Sequence, residues 1–451
     1  MFGIFEAIFV GATPIMSWID SGKEWLANQM HTLLPAGPLR GLIVDGMIKG
    51  AGAVVVFLPQ IMILFAFIAI LEDCGYMARA AFLMDKVMSK CGLNGKSFIP
   101  LLSSVACAVP GIMATRVIEN RRDRLATILV APLMSCSARL PLYILLISVF
   151  LGDPWWLPGV ALFGVYLIGL IAAPLIALTL KKTLLRGAAP VFVMELPGFK
   201  WPQFKTIFRR MTMAGWAFIY RAGTMILATM ILIWALQFYP HSREGFTDTY
   251  DRELDNVEDR LASLKEKLSQ SQAIDQPDED LVAATLAEID KEERKSSLLA
   301  GEWKRQTYLG RAGHALEPIF ACAGWDWRIG MAALASFPAR EVIVSTLGMI
   351  YNQGNVDPKS IREADNPAET PLGKAIRDEW QAELNSPRAR HPQLVAISLL
   401  VFFALCCQCV STLAVIRRET QSWRWPLFTF VYMTVLAYTS AVLIYQIGSL
   451  F

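Results

Sequence analysis

Apolar residues in this chain are gathered into runs, and the length of those runs decides which solvent surrounds them. A helix that crosses a bilayer needs about 20 mostly apolar residues, and runs near that length recur between short charged stretches. The clearest predicted spans are Val54–Leu71, Leu125–Phe150, Leu157–Leu180, Trp216–Phe238, Leu394–Ile416 and Pro426–Ile447. Weaker ones are Phe2–Trp18, Phe98–Ala114 and Ile329–Ile350. The pattern predicts an all-α polytopic membrane protein with about 8–9 transmembrane or re-entrant helices. The amino-terminal run has neither a basic leader nor a small-residue cleavage site, so it reads as a first span.

Charge divides the chain between two sides. From Lys181 to Arg210 there are seven basic residues against one acid, Glu195, which places this loop on the cytoplasmic side. Arg121, Arg122 and Arg124 form a second basic turn on the same side, two spans earlier. The segment Tyr239–Glu317 carries 18 acids and 11 bases and belongs on the opposite face. Its Leu254, Val257, Leu261, Leu264 and Leu268 recur at spacings of three and four, which predicts an extramembrane helical hairpin interrupted at Pro277. The resulting order is a first span with an amphipathic segment (1–49), a first gate-like half (50–180) and a basic loop (181–215). A transmembrane helix (216–238) opens the second half, followed by the acidic hairpin (239–317) and a broken segment (318–351). A soluble loop (352–392), too evenly charged to assign a side, precedes the last transmembrane helices (393–451).

Composition agrees with this architecture: 54% of the 451 residues are hydrophobic and 18% charged. A formal net charge of +3 leaves no basic surplus for a phosphate backbone, so nucleic acid is excluded as a partner. Five of the eight cysteines, Cys107, Cys136, Cys406, Cys407 and Cys409, fall inside apolar spans, where thiols rather than disulfides are expected. The four histidines have no partner at helical spacing, and Gly92–Ser97 resembles a phosphate loop only at its end, because Lys90 stands where the first glycine is needed.

Chemistry is sought where spans break their own rules. Freed backbone groups inside a bilayer are tolerated only against protein or an aqueous cavity. Three spans are interrupted beside thiols: Ser103–Gly111 around Cys107, Pro132–Pro141 around Cys136 and Arg139, and Cys406–Thr412 around Cys409. Cys406 and Cys407 read as lying earlier on one helix with Cys409, and neither is preferred. A shift of 230 positions lays Phe98–Met113 on Arg328–Ile343, and a shift of 273 lays Leu129–Cys136 on Phe402–Cys409. That is the pattern of two internal repeats with a site at their interface. An arginine at the depth of Arg139 needs a partner or water.

Thiols and thioethers select softer or borderline transition metals. Cys107, Cys136 and Cys409 are therefore the expected metal ligands along a path, with Met113, Met134, Ser135 and Ser137 completing a transient shell. Transport also requires the ion to leave, so a closed tetrahedral site is not expected. Glu341 either attracts a cation or neutralises Arg340 or Arg139. The readings kept open are a permease for a soft divalent cation, a transporter of a small organic solute such as a nucleoside, and a non-transporting membrane partner of a GTPase.

Several stretches together resemble the ferrous iron transport protein B family, FeoB. They are Leu71–Phe82, Cys107–Arg116, Ser135–Arg139, Met194–Pro197, Ala339–Val342 and Gln408–Cys409. The resemblance implies two Gate domains, a cysteine-lined path through Cys107, Cys136 and Cys409, and Fe2+ as transported substrate with no permanently bound cofactor. It implies a transporter rather than an enzyme, set in the inner membrane, with any GTP hydrolysis on a separate G domain. Expected partners are that GTPase domain, small Feo accessory proteins and further copies of the chain.

Overall fold

The computed structural model describes residues 2–34, 38–186, 198–239, 306–337, 342–351, 366–382 and 391–450, except positions 57, 153, 155 and 408, with a few isolated residues elsewhere. Within these residues the fold is helical throughout, with no strand. Most of the predicted acidic hairpin, including all five of Leu254, Val257, Leu261, Leu264 and Leu268, lies outside the described residues, as do Arg340, Glu341, Gln408 and Met194–Pro197.

Helix α1 (Phe2–Leu33) is longer than its predicted span because the amphipathic sequence after Trp18 continues the same helix. An apolar helical run over Leu39–Asp73, with a π-helical stretch at Leu42–Ile48, ends in α2 (Leu58–Asp73). Gly75 then turns the chain at φ 81°, a left-handed conformation suited to glycine. Helix α3 (Tyr76–Lys90) leaves at this turn.

The predicted span Phe98–Ala114 is two short helices, α4 (Phe98–Ala106) and α5 (Ala108–Ala114), separated by extended Cys107. The predicted span Leu125–Phe150 is likewise not continuous. It comprises α6 (Arg121–Val130), two 3-10 turns at Ala131–Leu133 and Ser137–Arg139, and α7 (Leu140–Phe150). Pro132 and Pro141 account for the interruption, since each lacks an amide proton and disfavours helix in the residue before it. Helix α8 (Leu157–Thr183) is an unbroken crossing.

The expected basic loop 181–215 is helical at both ends. Helix α8 runs through Thr183, and α9 (Phe204–Phe218) begins well before the predicted span at Trp216, joining α10 (Thr224–Phe238) through a π-helical turn. The amphipathic sequence of α9, which packs on α2, explains why hydropathy alone placed the boundary too late.

The second half repeats the broken design. Helix α11 (Tyr308–Ala321) precedes α12 (Trp327–Ala335) and α13 (Val342–Ile350). Tyr308 N donates to Tyr239 O at 2.9 Å, so the acidic segment leaves and re-enters the fold at adjacent points. Helix α14 (Pro371–Ala382) docks on α7, where the Trp380 ring stacks on Phe150 with centroids 4.3 Å apart and its Nε1 donates to Tyr351 Oη at 3.0 Å. Helix α14 thus sits at the Phe150 end of α7.

The expected span Leu394–Ile416 is broken too. Helix α15 (Pro392–Leu405) stops before Cys406, and α16 (Val410–Thr420) starts after Cys409, correcting the placement of Cys406, Cys407 and Cys409 on one helix. Helix α17 (Arg424–Gly448) packs along α15.

One ion cluster ties the two halves together. Glu419, at the end of α16 and with 3% of its side chain exposed, receives Arg116 at 2.5 Å and Arg124 at 2.6 Å. The hydrogen bonds that Arg116 donates to the Glu419 carboxylate, opposed in part by desolvation, raise the Arg116 pKa above its ordinary value. Asp123, equally buried, pairs with Lys181 of α8. Removing both arginines strands a buried carboxylate, whereas removing the carboxylate releases arginines that reach water. Arg116→Ala/Arg124→Ala is therefore expected to cost roughly 3–5 kcal/mol and Glu419→Gln about 1–2 kcal/mol. Thermal unfolding of the detergent-solubilised chain checks that order, and equal losses would contradict it.

Candidate functional site

Each of the three predicted cysteines stands where a helix is interrupted. Cys107, at φ −155° and ψ 132°, is both the C-cap of α4 and the N-cap of α5. Cys409, at φ −161° and ψ 103°, is the N-cap of α16. In both, the cysteine carbonyl begins the next helix, accepting from Gly111 N at 3.4 Å and from Thr412 N at 3.1 Å. Cys136 lies between the two 3-10 turns, and its carbonyl accepts from Arg139 N at 3.1 Å. All eight cysteines are reduced, and these three are partly buried.

Packing brings the interruptions into one region. Helix α5, which begins after Cys107, lies against α16, which begins after Cys409, and also against the Ala131–Leu133 turn that leads to Cys136. The third link is Arg139, which is 2% exposed. Its Nη1 donates to Ala404 O and, at 3.3 Å, to Ser135 Oγ, and its Nη2 donates to Cys406 O at 3.2 Å. Two carbonyls where α15 stops thereby receive a side chain from the other half. The guanidinium is also within electrostatic reach of the Cys136 and Cys406 thiols. Glu341, one of the expected partners for Arg139, lies outside the described residues.

The remaining predicted residues are distributed around this region. Met113 in α5 and Met134 beside Cys136 are partly buried and pack on the main apolar core. Ser135 is buried and holds Arg139, while the side chain of Ser137 is outside the described set. Among the described residues, no three His, Cys, Asp or Glu side chains are grouped closely enough to hold a metal ion.

Two contributors were missed by sequence reasoning. Cys406 is fully buried and engaged with Arg139 through its carbonyl, which was invisible while Cys406 read as lying on one helix with Cys409. Ser411, two residues past Cys409, is 2% exposed, and among the described residues its Oγ has no hydrogen-bond partner. The signal was its position in the Cys406–Thr412 stretch.

The close crossing of α4 on α5 depends on one glycine. A Cβ on Gly111 would lie 1.9 Å from Ser104 Oγ and 2.7 Å from Pro100 O. Ser103 and Ser104 meanwhile donate back to Ile99 O and Pro100 O, at 3.0 and 2.8 Å, within the turn before the break. Gly111→Ala is expected to lower stability by at least about 1–3 kcal/mol through overpacking. Gly159→Ala, where an added Cβ meets nothing within 4 Å, is the neutral control. Thermal unfolding of the two variants side by side is the measurement, and equal midpoints would contradict the crossing.

Comparison with known proteins adds a family to this geometry. The family model described as "Gate: Nucleoside recognition" matches residues 54–150 and 219–423. The model described as "Ferrous iron transport protein B C terminus" matches residues 162–213, between the two Gate stretches. A Porphyromonas gingivalis protein named as an Fe(2+) transport protein A/Fe(2+) transporter FeoB fusion is 40% identical over 451 residues, covering 100% of this chain and 49% of that protein. A Leptospira interrogans Fe(2+) transporter FeoB is 40% identical over 459 residues, covering 99% of this chain and 56% of its own length. A Helicobacter pylori Fe(2+) transporter FeoB is 32% identical over 447 residues, covering 98% and 62%. The chain thus spans about half to three-fifths of the length of these curated relatives. No solved structure matches it. With both Gate stretches, the segment between them and the helical architecture accounted for, the chain belongs to the Gate family in its FeoB branch and corresponds to the membrane portion of that protein type.

Proposed function

We propose that this chain is the membrane permease portion of a ferrous iron transporter, and that Fe2+ passes between the two Gate halves beside Cys107, Cys136 and Cys409. The observation that carries the reading is positional: each thiol occupies a helix interruption, and the elements flanking the three interruptions pack on one another. The names of the relatives supply the ion.

The chemistry follows from what such an ion needs. Fe2+ sits low in the divalent affinity series, so selection rests on ligand type and geometry rather than on tight binding. Sulfur from separate segments replaces part of the hydration shell. Met113, Met134 and the hydroxyls of Ser135 and Ser411 provide further donors. A shell that is never closed lets the ion move on. Arg139 places a fixed positive charge beside the same region, so a cation passing Cys136 requires thiolate charge to offset the repulsion.

In this proposal energy coupling belongs to a G domain on the rest of the longer protein or on a separate polypeptide, and the chain resides in the inner membrane. The Gate model's own description favours a second reading, transport of a nucleoside. Uptake by the full chain in proteoliposomes, with Fe2+ as the traced ion and Mn2+ and nucleosides as competitors, tests both. Fe2+ uptake suppressed by Mn2+ but not by nucleosides supports iron, and the opposite pattern supports the nucleoside. Cys107→Ser/Cys136→Ser/Cys409→Ser is expected to lower Fe2+ uptake at least about tenfold, the loss of about 1.4 kcal/mol of interaction, while still inserting in the membrane. Uptake at the parental rate would end the thiol path.

A further inference from the structure

Helix α3 is too charged to cross a bilayer, with Arg79, Asp85, Lys86 and Lys90 in 15 residues, yet it exposes apolar side chains to an unusual degree. Leu83 is 77% exposed and Val87 48% exposed, one turn apart on the same face as Tyr76. Such a stripe in an element that cannot span is the signature of a helix lying in the plane of the membrane surface. The chain fixes it there, because α3 follows the membrane helix α2 after only Cys74 and the left-handed turn at Gly75.

A second segment joins it. Gln203 N donates to Asp73 Oδ2 at 2.7 Å, and the Arg79 guanidinium lies over the Phe199 ring at 3.4 Å, so the start of α9 sits at the α2–α3 corner. Trp201 is 94% exposed and Phe204 84% exposed. Aromatic rings of this kind settle at the headgroup level.

The charges on this face have one sign. Lys86 and Lys90 flank the α3 stripe, and Lys205 and Arg209 flank Phe204 and Phe208; all four are exposed. The nearby acids are each engaged by the protein, Glu72 through an ion pair although its side chain is 57% exposed. Asp85 accepts from Gly95 N at 2.8 Å, Glu72 pairs with Arg210 at 2.7 Å, and Asp73 is held by Gln203. The far end of α3 also borders the basic turn: a Cβ on Gly92 would touch Lys181 Cδ at 3.5 Å, and Lys96 pairs with Glu119 at 2.9 Å.

We propose that α3 and the first turns of α9 form an interfacial platform for anionic phospholipid on the basic side of the membrane, with Leu83, Val87, Trp201 and Phe204 in the acyl-headgroup boundary and Lys86, Lys90, Lys205 and Arg209 on the phosphates. An acidic soluble protein fits the charges but leaves the apolar stripe without a solvent, whereas a leaflet satisfies both. The site is separate from the thiol region, so its test is independent of the transported ion.

The full chain is reconstituted in phosphatidylcholine bilayers with trace spin-labelled phosphatidylglycerol or phosphatidylcholine, and the motionally restricted fraction of each label is compared. The parent chain is expected to restrict the anionic label selectively, with that selectivity falling at high salt. Lys86→Gln/Lys90→Gln/Lys205→Gln/Arg209→Gln is expected to lose at least about fivefold of it. A set that keeps the charge, Lys86→Arg/Lys90→Arg/Lys205→Arg/Arg209→Lys, should retain it, with circular dichroism reporting that each set is folded. Selectivity missing from the parent, or unchanged in the folded glutamine set, overturns the proposal. Full displacement of the anionic label by aqueous polyglutamate also overturns it, by assigning the face to an acidic protein.

Discussion

A helix that stops inside hydrocarbon leaves carbonyls that nothing in the lipid can satisfy, and the arrangement of this protein depends on how that cost is met at one place. Arg139, carried by the broken segment of the first half, reaches the carbonyls of Ala404 and Cys406 where α15 of the second half ends. The contact is reciprocal. Arg139 is itself a charge that burial would penalise heavily without acceptors, and the freed carbonyls supply them. Because the donor and the acceptors lie on different repeats, the two interruptions hold each other open, and neither half can close its helix without orphaning the other.

The same cross-repeat logic appears at the ends of the helices that begin at the thiols. Helix α5 leads from Cys107 toward Arg116, and α16 leads from Cys409 to Glu419, where the two meet in a buried ion cluster. Their starting points are extended residues with similar backbone angles, and their bodies pack together. A region pinned by Arg139 near the breaks and by Glu419 at the far ends can shift its thiols only by moving a helix as a unit. That is the kind of motion a separate domain could drive in the proposed transporter.

Much of this was legible from residue order. Hydropathy located the crossings, because run length is a direct consequence of bilayer thickness. Proline and glycine beside Cys107 and Cys136 announced two breaks by removing donors and freeing the backbone. The third break was harder to see. Leu394–Ile416 contains neither proline nor glycine, so only the thiols and small hydroxyl residues of Cys406–Thr412 marked it, and where α15 stops a side chain more than 260 positions away reaches its carbonyls. Amphipathic helices were blurred for a related reason: α9 and α14 bury one face against α2 and α7, and a scale that averages all faces reports them as loops. Residue order showed that Arg139 needs a partner or water but not which one; in the described structure backbone carbonyls and Ser135 supply it.

The central claim is that sulfur from different segments contacts the passing ion. Iron K-edge X-ray absorption of the full chain in lipid nanodiscs, loaded with Fe2+ under anaerobic conditions, addresses it directly. A shell of sulfur scatterers at thiolate distance, lost when Cys107, Cys136 and Cys409 are replaced together by serine, is the predicted result. A spectrum fitted by oxygen and nitrogen alone in the parent chain, identical to that of the replaced chain, would contradict it.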